Sequence, residues 1–284
     1  MPELPEVETV RAALAPVMTG ARIVGVDIRR PDLRWPLPSS LYDDLHNKKV
    51  SFVGRRAKII VIAVEEKAIM LHLGMSGSVR ISSHKPNAKP HDHIELQVSN
   101  GQATHYITLN DPRRFGYVDS VLLNSLSEHP SMSQLGPEPV AIEDQTLQVG
   151  DIVDLPYLNQ TLAQSKSPIK SFLLDQRQIA GLGNIYVCEA LHRAGISPKR
   201  KAYTVKGARA ARLLPAIQKV LEEAILQGGT SLRDHKQPDG KLGYFVQSLL
   251  VYGRDGESCT SCKTPIKAIV QSGRTSFYCP QCQR

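Results

Sequence analysis

Four cysteines constrain this chain more tightly than any other feature. Cys259-x2-Cys262 and Cys279-x2-Cys282 lie near the C-terminus with sixteen residues between the pairs. Each close pair can turn two sulfurs toward one point, and two such pairs complete a tetrahedron, which is the spacing of a zinc ribbon. Four thiolates leave no open position on the metal, so the expected ion is structural, one Zn2+ per chain. Cys188 stands outside this pattern and is expected to be a buried free thiol. No secretory signal is visible, and no apolar run reaches the roughly 18 residues that span a bilayer. Both observations point to the cytoplasm, where thiols stay reduced and disulfides are rare.

A ribbon of this size is only part of a 284-residue chain. That length predicts two or three domains, and 41% hydrophobic residues supply ample core. The formal charge of +8 is unevenly placed. Between Ala190 and Leu221 stand eight Lys or Arg and no acid, and the last 56 residues carry eight more against four acids. A surface built only for solubility mixes both signs. A run of one sign over a helical region points to a polyanionic partner.

Taken in order, the pattern predicts a helix over Glu6–Met18, with Val7, Val10, Leu14 and Val17 on one face. A β-rich tract follows: Arg22–Arg30, Val50–Val53, Ile59–Val64, Ile69–Leu73, Ser78–Ser82, Ile94–Val98, Thr104–Leu109 and Tyr117–Leu123, with a short helix near Ser40–Leu45. Ser99-Asn100-Gly101 lies between two alternating runs and marks a hairpin. So many short strands predict an antiparallel sandwich or barrel edged by helices. Ser125–Val140, rich in Ser, Pro and Gly, is expected to be a linker. Beyond it helices are expected at Asp144–Val149, Leu158–Gln164, Ile169–Asp175, Ile185–Ala194 and Lys206–Leu226, the last ended by Gly228-Gly229. A Gly-rich loop around Thr230–Gly240, a strand at Gly243–Tyr252 and the zinc hairpin complete the chain.

Candidate chemistry begins at the N-terminus. With Met1 removed, Pro2 offers a secondary amine, and an α-amino group of pKa about 7.7–8.0 is partly unprotonated at neutral pH. Its attack on an aldehyde-level carbon gives an iminium that keeps its charge and acts as an electron sink. Glu3 is an acid placed one residue away to protonate a nearby oxygen. Set against this, Pro5, Glu6 and Glu8 make an ordinary helix start, in which Pro2 and Glu3 are only lead-in. Arg55-Arg56-Ala57-Lys58 opens a strand, and Lys58 is either a solvated edge residue or a holder of phosphate. His72-Leu-Gly-Met-Ser-Gly77 and Asp111-Pro-Arg-Arg-Phe-Gly116 are two turns offering His72, Met75, Arg113 and Phe115. Arginine reads base edges and aromatics stack on bases. His91-Asp92-His93 lacks further ligands at metal spacing, which favours a phosphate contact or a buried ring. Gly181-Leu-Gly-Asn184 lacks the third glycine and preceding strand of a dinucleotide site. It presents a helix N-terminus suited to phosphate, with Asn184 near the cap and Lys166 and Lys170 upstream.

These residues resemble the bacterial formamidopyrimidine-DNA glycosylase family. The matching stretches are Met1-Pro-Glu-Leu-Pro-Glu-Val-Glu8, Arg56-Ala-Lys58, the two turns, Ala180-Gly-Leu-Gly-Asn-Ile-Tyr186, Gly228-Gly-Thr-Ser-Leu-Arg-Asp234, Val251-Tyr-Gly-Arg254 and the tetracysteine ribbon. They cover the whole chain in family order. The resemblance implies an α+β multidomain fold, with residues 1–134 a catalytic β-sandwich flanked by helices. Residues 135–228 would be a helix–two-turns–helix DNA-binding domain, and 229–284 a lesion loop and zinc ribbon.

The activity implied is excision of oxidised purines, 8-oxoguanine and formamidopyrimidines, followed by β,δ-elimination of the strand. The implied partner is double-stranded DNA carrying such bases or abasic sites, met by a monomeric bacterial protein at the nucleoid. By the same resemblance Pro2 is the Schiff-base nucleophile and Glu3 the acid at the sugar ring oxygen. Lys58 serves the phosphates and the β-elimination, while Met75, Arg113 and Phe115 fill the gap left by an extruded nucleotide. His72, His91, Lys166, Lys170, Asn184 and Arg274 contact DNA, and Arg274 also serves the second elimination. Ile59, where many relatives carry tyrosine, and Ser165, where some carry lysine, depart from the pattern without touching the chemistry.

Two other readings share part of this sequence. A sibling glycosylase for oxidised pyrimidines has the same Pro-Glu start, against which Leu4 and the Arg113-Arg114-Phe115 run argue. A non-catalytic zinc-ribbon DNA-binding protein would have no use for Pro2, Glu3 and Lys58 together.

Overall fold

The computed structural model describes residues 2–141, 150–230 and 245–284. The chain divides into two compact units, one of Met1–Ser133, Ile142–Val149 and Gln227–Val246, the other of Gln134–Ala141, Gly150–Leu226 and Gln247–Arg284.

In the first unit the apolar periodicity of the N-terminal segment makes a helix, α1 (Leu4–Met18), that starts two residues before the predicted Glu6. Eight strands and a short helix follow: β1 (Arg22–Ile28), α2 (Leu41–Leu45), β2 (Val50–Arg56), β3 (Ile59–Val64), β4 (Lys67–His72), β5 (Ser78–Ser82), β6 (Asp92–Ser99), β7 (Thr104–Asn110) and β8 (Tyr117–Leu122). They pair antiparallel into two four-stranded sheets, ordered β1-β6-β7-β5 and β2-β3-β4-β8. Side chains alternate across a strand, so each sheet turns one apolar face inward. Val53, Ile60, Ile62, Ile69 and Leu71 of one sheet share a core with Ile23, Val79, Leu96, Val98 and Ile107 of the other, joined by Val7, Val10, Leu14 and Met18 of α1. The hairpin at Asn100 is closed by its own side chain, whose Oδ1 accepts from the N–H groups of Gln102 and Ala103 at 3.0 and 2.8 Å.

The expected linker Ser125–Val140 is not plain coil. It contains most of a 3-10 turn over Leu123–Glu128 and a one-turn helix, α3 (Pro130–Ser133), because Leu126 and Met132 are apolar anchors that become buried.

The second unit carries α4 (Leu155–Gln164), α5 (Ile169–Leu174), α6 (Asn184–Arg193) and α7 (Ala208–Leu226), then the hairpin of β9 (Lys267–Gln271) and β10 (Arg274–Tyr278). Asp154 caps α4, accepting from the Tyr157 N–H at 2.7 Å. The basic stretch does not enter the core: Lys199, Lys201, Lys206, Arg212 and Lys219 are exposed.

The helix expected at Asp144–Val149 and the loop beyond Thr230 lie outside the described residues. The strand expected at Gly243–Tyr252 is a correction over its described part. Phe245–Ser248 is a 3-10 turn, and residues 249–252 form no strand. The buried carboxylate of Glu189 on α6 accepts the N–H groups of Leu250, Val251 and Tyr252, each at 2.9 Å. Those donors are therefore satisfied by one side chain in place of a neighbouring strand.

Candidate nucleic-acid site

The N-terminal residues are held by acids on the first turns of α1. Glu3 is the helix N-cap and is buried, as is Pro2. Its backbone N–H donates to Glu6 Oε2 at 2.8 Å, part of a capping box. The other oxygen of Glu6 accepts from the N–H and hydroxyl of Thr230 at 2.7 and 2.8 Å. One buried carboxylate thus fixes both the chain start and the residue that opens the Gly-rich segment.

Lys58 sits in the tight turn between β2 and β3, where Ala57 adopts a left-handed φ of 52°. The strand before it runs on through Arg56, three residues past the predicted end. Arg55 ties that turn to α1: its guanidinium donates to Ala57 O at 2.7 Å and to Glu8 Oε2 at 3.0 Å, while Glu8 also pairs with Arg11 at 2.6 Å. Burying such charges is costly unless they are paired and hydrogen-bonded, and these are both.

The two predicted turns form one rigid pair. Gly74 has φ +63°, and a Cβ there would lie 2.3 Å from Gly116 N; one on Gly116 would lie 2.6 Å from His72 O. Only two glycines let the backbones approach so closely. Asp111, also buried, accepts from the Ser76 hydroxyl at 2.6 Å and the Gly116 N–H at 2.9 Å, and Ser76 Oγ accepts from Arg113 N at 3.2 Å. His93 is buried with Nε2 against Asp111 O at 2.9 Å, while His91 is exposed with φ 69°. On this frame Met75 and Phe115 stand exposed, 39% and 44%, and the Arg113 guanidinium lies 4.7 Å over the Phe115 ring. They line a groove of about 520 Å³ with Arg34, His72 and Arg114. Large apolar side chains held out on a braced turn, flanked by cations, suit insertion into a base stack.

His72 stacks on Tyr117 at 5.1 Å, and Tyr117 on Trp35 at 4.6 Å. Burial first, then the nearby charges of Lys58 and Arg34, push its pKa down to about 4. Its Nδ1 accepts the Gly74 N–H at 3.1 Å, so the ring is neutral at physiological pH with its proton on Nε2, a donor suited to an anion.

In the second unit Gly183 is the N-cap of α6 and Asn184 its first residue, whose Nδ2 donates to Thr275 O at 2.9 Å. Lys166 is exposed. Lys170 is 1% exposed and its ammonium donates to Thr275 O at 2.9 Å and Ser276 Oγ at 2.7 Å. Asn184 and Lys170 therefore hold one strand, β10, and Arg274 opens that strand exposed beside a Ser272-Gly273 turn with both φ positive. The cysteines fit a metal: Cys259, Cys262, Cys279 and Cys282 place their sulfurs within 4.8 Å of one another, and among the described residues no other His, Cys, Asp or Glu group gathers so. Cys188 is buried and packs against this cluster.

The charged residues that build this scaffold, Glu6, Glu8, Arg55, Asp111 and Glu189, carry no sequence signal of their own. Glu6 and Glu8 match any acidic first turn, and Asp111 any Asp-Pro turn.

A zinc-ribbon protein with a helix-capped N-terminus and a braced apolar wedge is the class these features define. The model described as formamidopyrimidine-DNA glycosylase N-terminal domain matches residues 1–118, the formamidopyrimidine-DNA glycosylase H2TH domain 135–236, and the zinc finger found in FPG and IleRS 256–284. The chain belongs to the formamidopyrimidine-DNA glycosylase family, and its four cysteines hold one structural zinc ion. The formamidopyrimidine-DNA glycosylase of Dinoroseobacter shibae is 46% identical over 296 residues, with all of both chains covered. The solved structure of MutM (Fpg) from Thermus thermophilus is 36% identical with TM-score 0.85, covering 99% of this chain and 98% of its own. A Lactococcus lactis Fpg mutant in complex with Fapy-dG-containing DNA is 29% identical with TM-score 0.87, covering both chains fully.

Proposed function

We propose that this chain is a bifunctional DNA glycosylase and abasic-site lyase of base excision repair, acting as a monomer on double-stranded DNA that carries oxidised purines. The observation that carries this reading is the buried head of α1, where Glu6 fixes the backbone of Glu3 beside Pro2. Residues 1–134 perform the chemistry, while 135–228 and 229–284 grip the duplex. A base in the stack cannot be reached at its sugar, so the nucleotide is extruded at a cost of a few kcal/mol. Met75 and Phe115 enter the space it leaves, and Arg113 meets the orphaned base.

Once Met1 is removed, the Pro2 nitrogen bonds to C1′ as the C1′–N bond to the base breaks. Glu3 gives a proton to O4′ and the ring opens, the amine proton departs, and the base leaves protonated. The cationic iminium makes the C2′ hydrogen acidic. Loss of that proton expels the 3′-phosphate, and a second elimination expels the 5′-phosphate. Lys58 holds phosphate and assists the first elimination, and Arg274 the second. Water then hydrolyses the imine and frees Pro2. His72 donates Nε2–H to phosphate without carrying charge. His91, Lys166 and Asn184 add contacts, and Lys170 supports DNA binding through the strand that Arg274 opens.

Among the described residues no helix is long and apolar enough to cross a membrane. We place the enzyme in the bacterial cytoplasm, associated with the nucleoid through DNA.

Borohydride reduction of a mixture with an 8-oxoguanine duplex tests the reading. A covalent protein–DNA adduct at the N-terminal peptide is expected. No adduct would leave a binding protein, and trapping on an oxidised-pyrimidine duplex alone would assign the sibling specificity.

A further inference from the structure

Helix α6 turns three side chains of spacing i, i+1 and i+4 toward the ribbon. Cys188 packs into its core, Glu189 binds the backbone of residues 250–252, and His192 reaches a zinc ligand. His192 is 7% exposed and its Nε2 lies 3.8 Å from the Cys259 sulfur, which is itself fully buried. His192 is not a fifth ligand, since the metal-binding group comprises the four cysteines alone among the described residues. Its Nδ1 is buried and has no hydrogen-bond partner among the described residues.

These contacts decide where the ring proton sits. With the proton on Nδ1, a buried N–H would go unpaired, at a cost of about 1–3 kcal/mol, and the Nε2 lone pair would face the lone pairs of a thiolate. With the proton on Nε2, that N–H points at sulfur, and only a lone pair is left unpaired. We propose that His192 is a positioning residue of the zinc site, donating its Nε2–H to the Cys259 thiolate and thereby slowing loss of that ligand from the metal. The hydrogen bond offsets part of the negative charge on one of four thiolates, which matters most at a sulfur as buried as this one. It also joins the metal to the helix whose first residue, Asn184, holds Thr275 of the zinc hairpin. Partners of this kind, one shell out from the metal, commonly change metal affinity 10–100-fold when removed.

The test uses the zinc-loaded protein, with zinc transfer to a chromogenic chelator as the readout. His192→Phe keeps a flat ring without the donor, and His192→Gln places an amide N–H near the Nε2 position. We expect zinc release about tenfold faster or more in the Phe variant and within about threefold of the parent in the Gln variant. In the cobalt-substituted proteins the thiolate-to-metal charge-transfer band should move to lower energy for Phe and stay in place for Gln, because a thiolate freed of a hydrogen bond is the stronger electron donor. A structural role alone would speed release in both variants and leave the band unmoved, and that result overturns the proposal, as does release unchanged in the Phe variant. Nitrogen-15 NMR of the unaltered zinc protein gives a decision that needs no variant: a proton on Nε2 of His192 is expected, and one on Nδ1 refutes the proposal.

Discussion

In the sandwich unit the residues proposed for chemistry hang from a broad apolar core. Two sheets, α1, α2 and the adjoining loops share more than twenty buried apolar side chains, and the charged network of Glu8, Arg11 and Arg55 is built onto that base. The ribbon has no such reserve. Its two strands are five residues each, their side chains half exposed, with Val270 78% exposed. It is held by four sulfurs, by a small apolar cluster that includes Cys188, Val251 and Ile266, and by a few polar contacts from α5 and α6, among them those of Lys170, Asn184 and Glu189. A large core tolerates the loss of one polar contact, because the rest of the fold over-determines each position. A metal-closed ribbon does not, because its ordering energy is concentrated in few bonds.

The largest expected effect lies in the sandwich, and it concerns chemistry without stability. Glu3→Gln keeps the N-cap shape but cannot give up an acid proton. Base excision should fall by about 10²–10⁴-fold, the usual contribution of a positioned acid. Nicking of a pre-formed abasic site should survive, since that sugar opens to an aldehyde unaided. Acetylating Pro2, or retaining Met1, should abolish both reactions with DNA binding intact. Parallel assays on lesion and abasic duplexes check this, with the terminus verified by mass spectrometry. Equal loss of both activities in Glu3→Gln would sink the division of labour.

Removing one sulfur reverses the pattern. Cys279→Ser, or stripping zinc with a chelator, should disorder the ribbon and weaken DNA binding at least tenfold, while the sandwich keeps its folded signature. Filter binding together with near-ultraviolet circular dichroism separates the two outcomes. Undiminished affinity in the metal-free protein would show that the ribbon stands without its ion.

Why the sequence revealed one region better than another follows from the same contrast. Strands of the sandwich were legible because alternating apolar residues have one consistent explanation: Ile59–Val64 and Ser78–Ser82 run where the pattern predicts. The cysteine spacing announced the ribbon equally plainly. What escaped were contacts between distant residues that look like surface charge. Glu189 satisfies three backbone donors some sixty residues away, in the described part of the expected strand at Gly243–Tyr252. Lys170, expected to face phosphate, is buried against Ser276 across 106 positions of chain. Nothing local to a glutamate or lysine tells whether its partner is water, DNA or a remote backbone group.

A smaller effect is expected where the sandwich gives up its tolerance. Gly74→Ala would set a Cβ 2.3 Å from Gly116 N, and the left-handed backbone there adds its own penalty of about 1–2 kcal/mol. The two turns must part, tilting Met75 and Phe115 away from their present directions. Stability should fall by about 1–3 kcal/mol, as for strain elsewhere at functional turns. Lesion excision should fall further than abasic-site nicking, because only the former must unstack and unpair an intact base. Denaturant titration and the paired assays measure both. Loss of stability with the excision-to-nicking ratio unchanged would mean that the wedge geometry is not what extrusion requires.

The smallest expected effect is one of discrimination. The Arg113 guanidinium rests on the Phe115 ring at 4.7 Å, its backbone N–H pinned by Ser76, so the side chain has a defined starting direction on the wedge. If it meets the orphaned base, its donors match cytosine, which offers two acceptors, O2 and N3, on its pairing edge. Adenine offers the N1 acceptor but sets an amino donor against the guanidinium. A matched bidentate contact is worth about 1–3 kcal/mol of discrimination. Arg113→Ala should therefore narrow the preference for lesions opposite cytosine over adenine by roughly five- to a hundredfold, chiefly by weakening the cytosine complex. Arg113→Lys, which keeps the charge and loses the fork, should fall between the two, because a point charge attracts either base without matching its edge. The measurement is the ratio of excision rates on the two duplexes at fixed salt. A ratio unmoved by Arg113→Ala would remove Arg113 from base reading and leave it as a brace for the Phe115 ring.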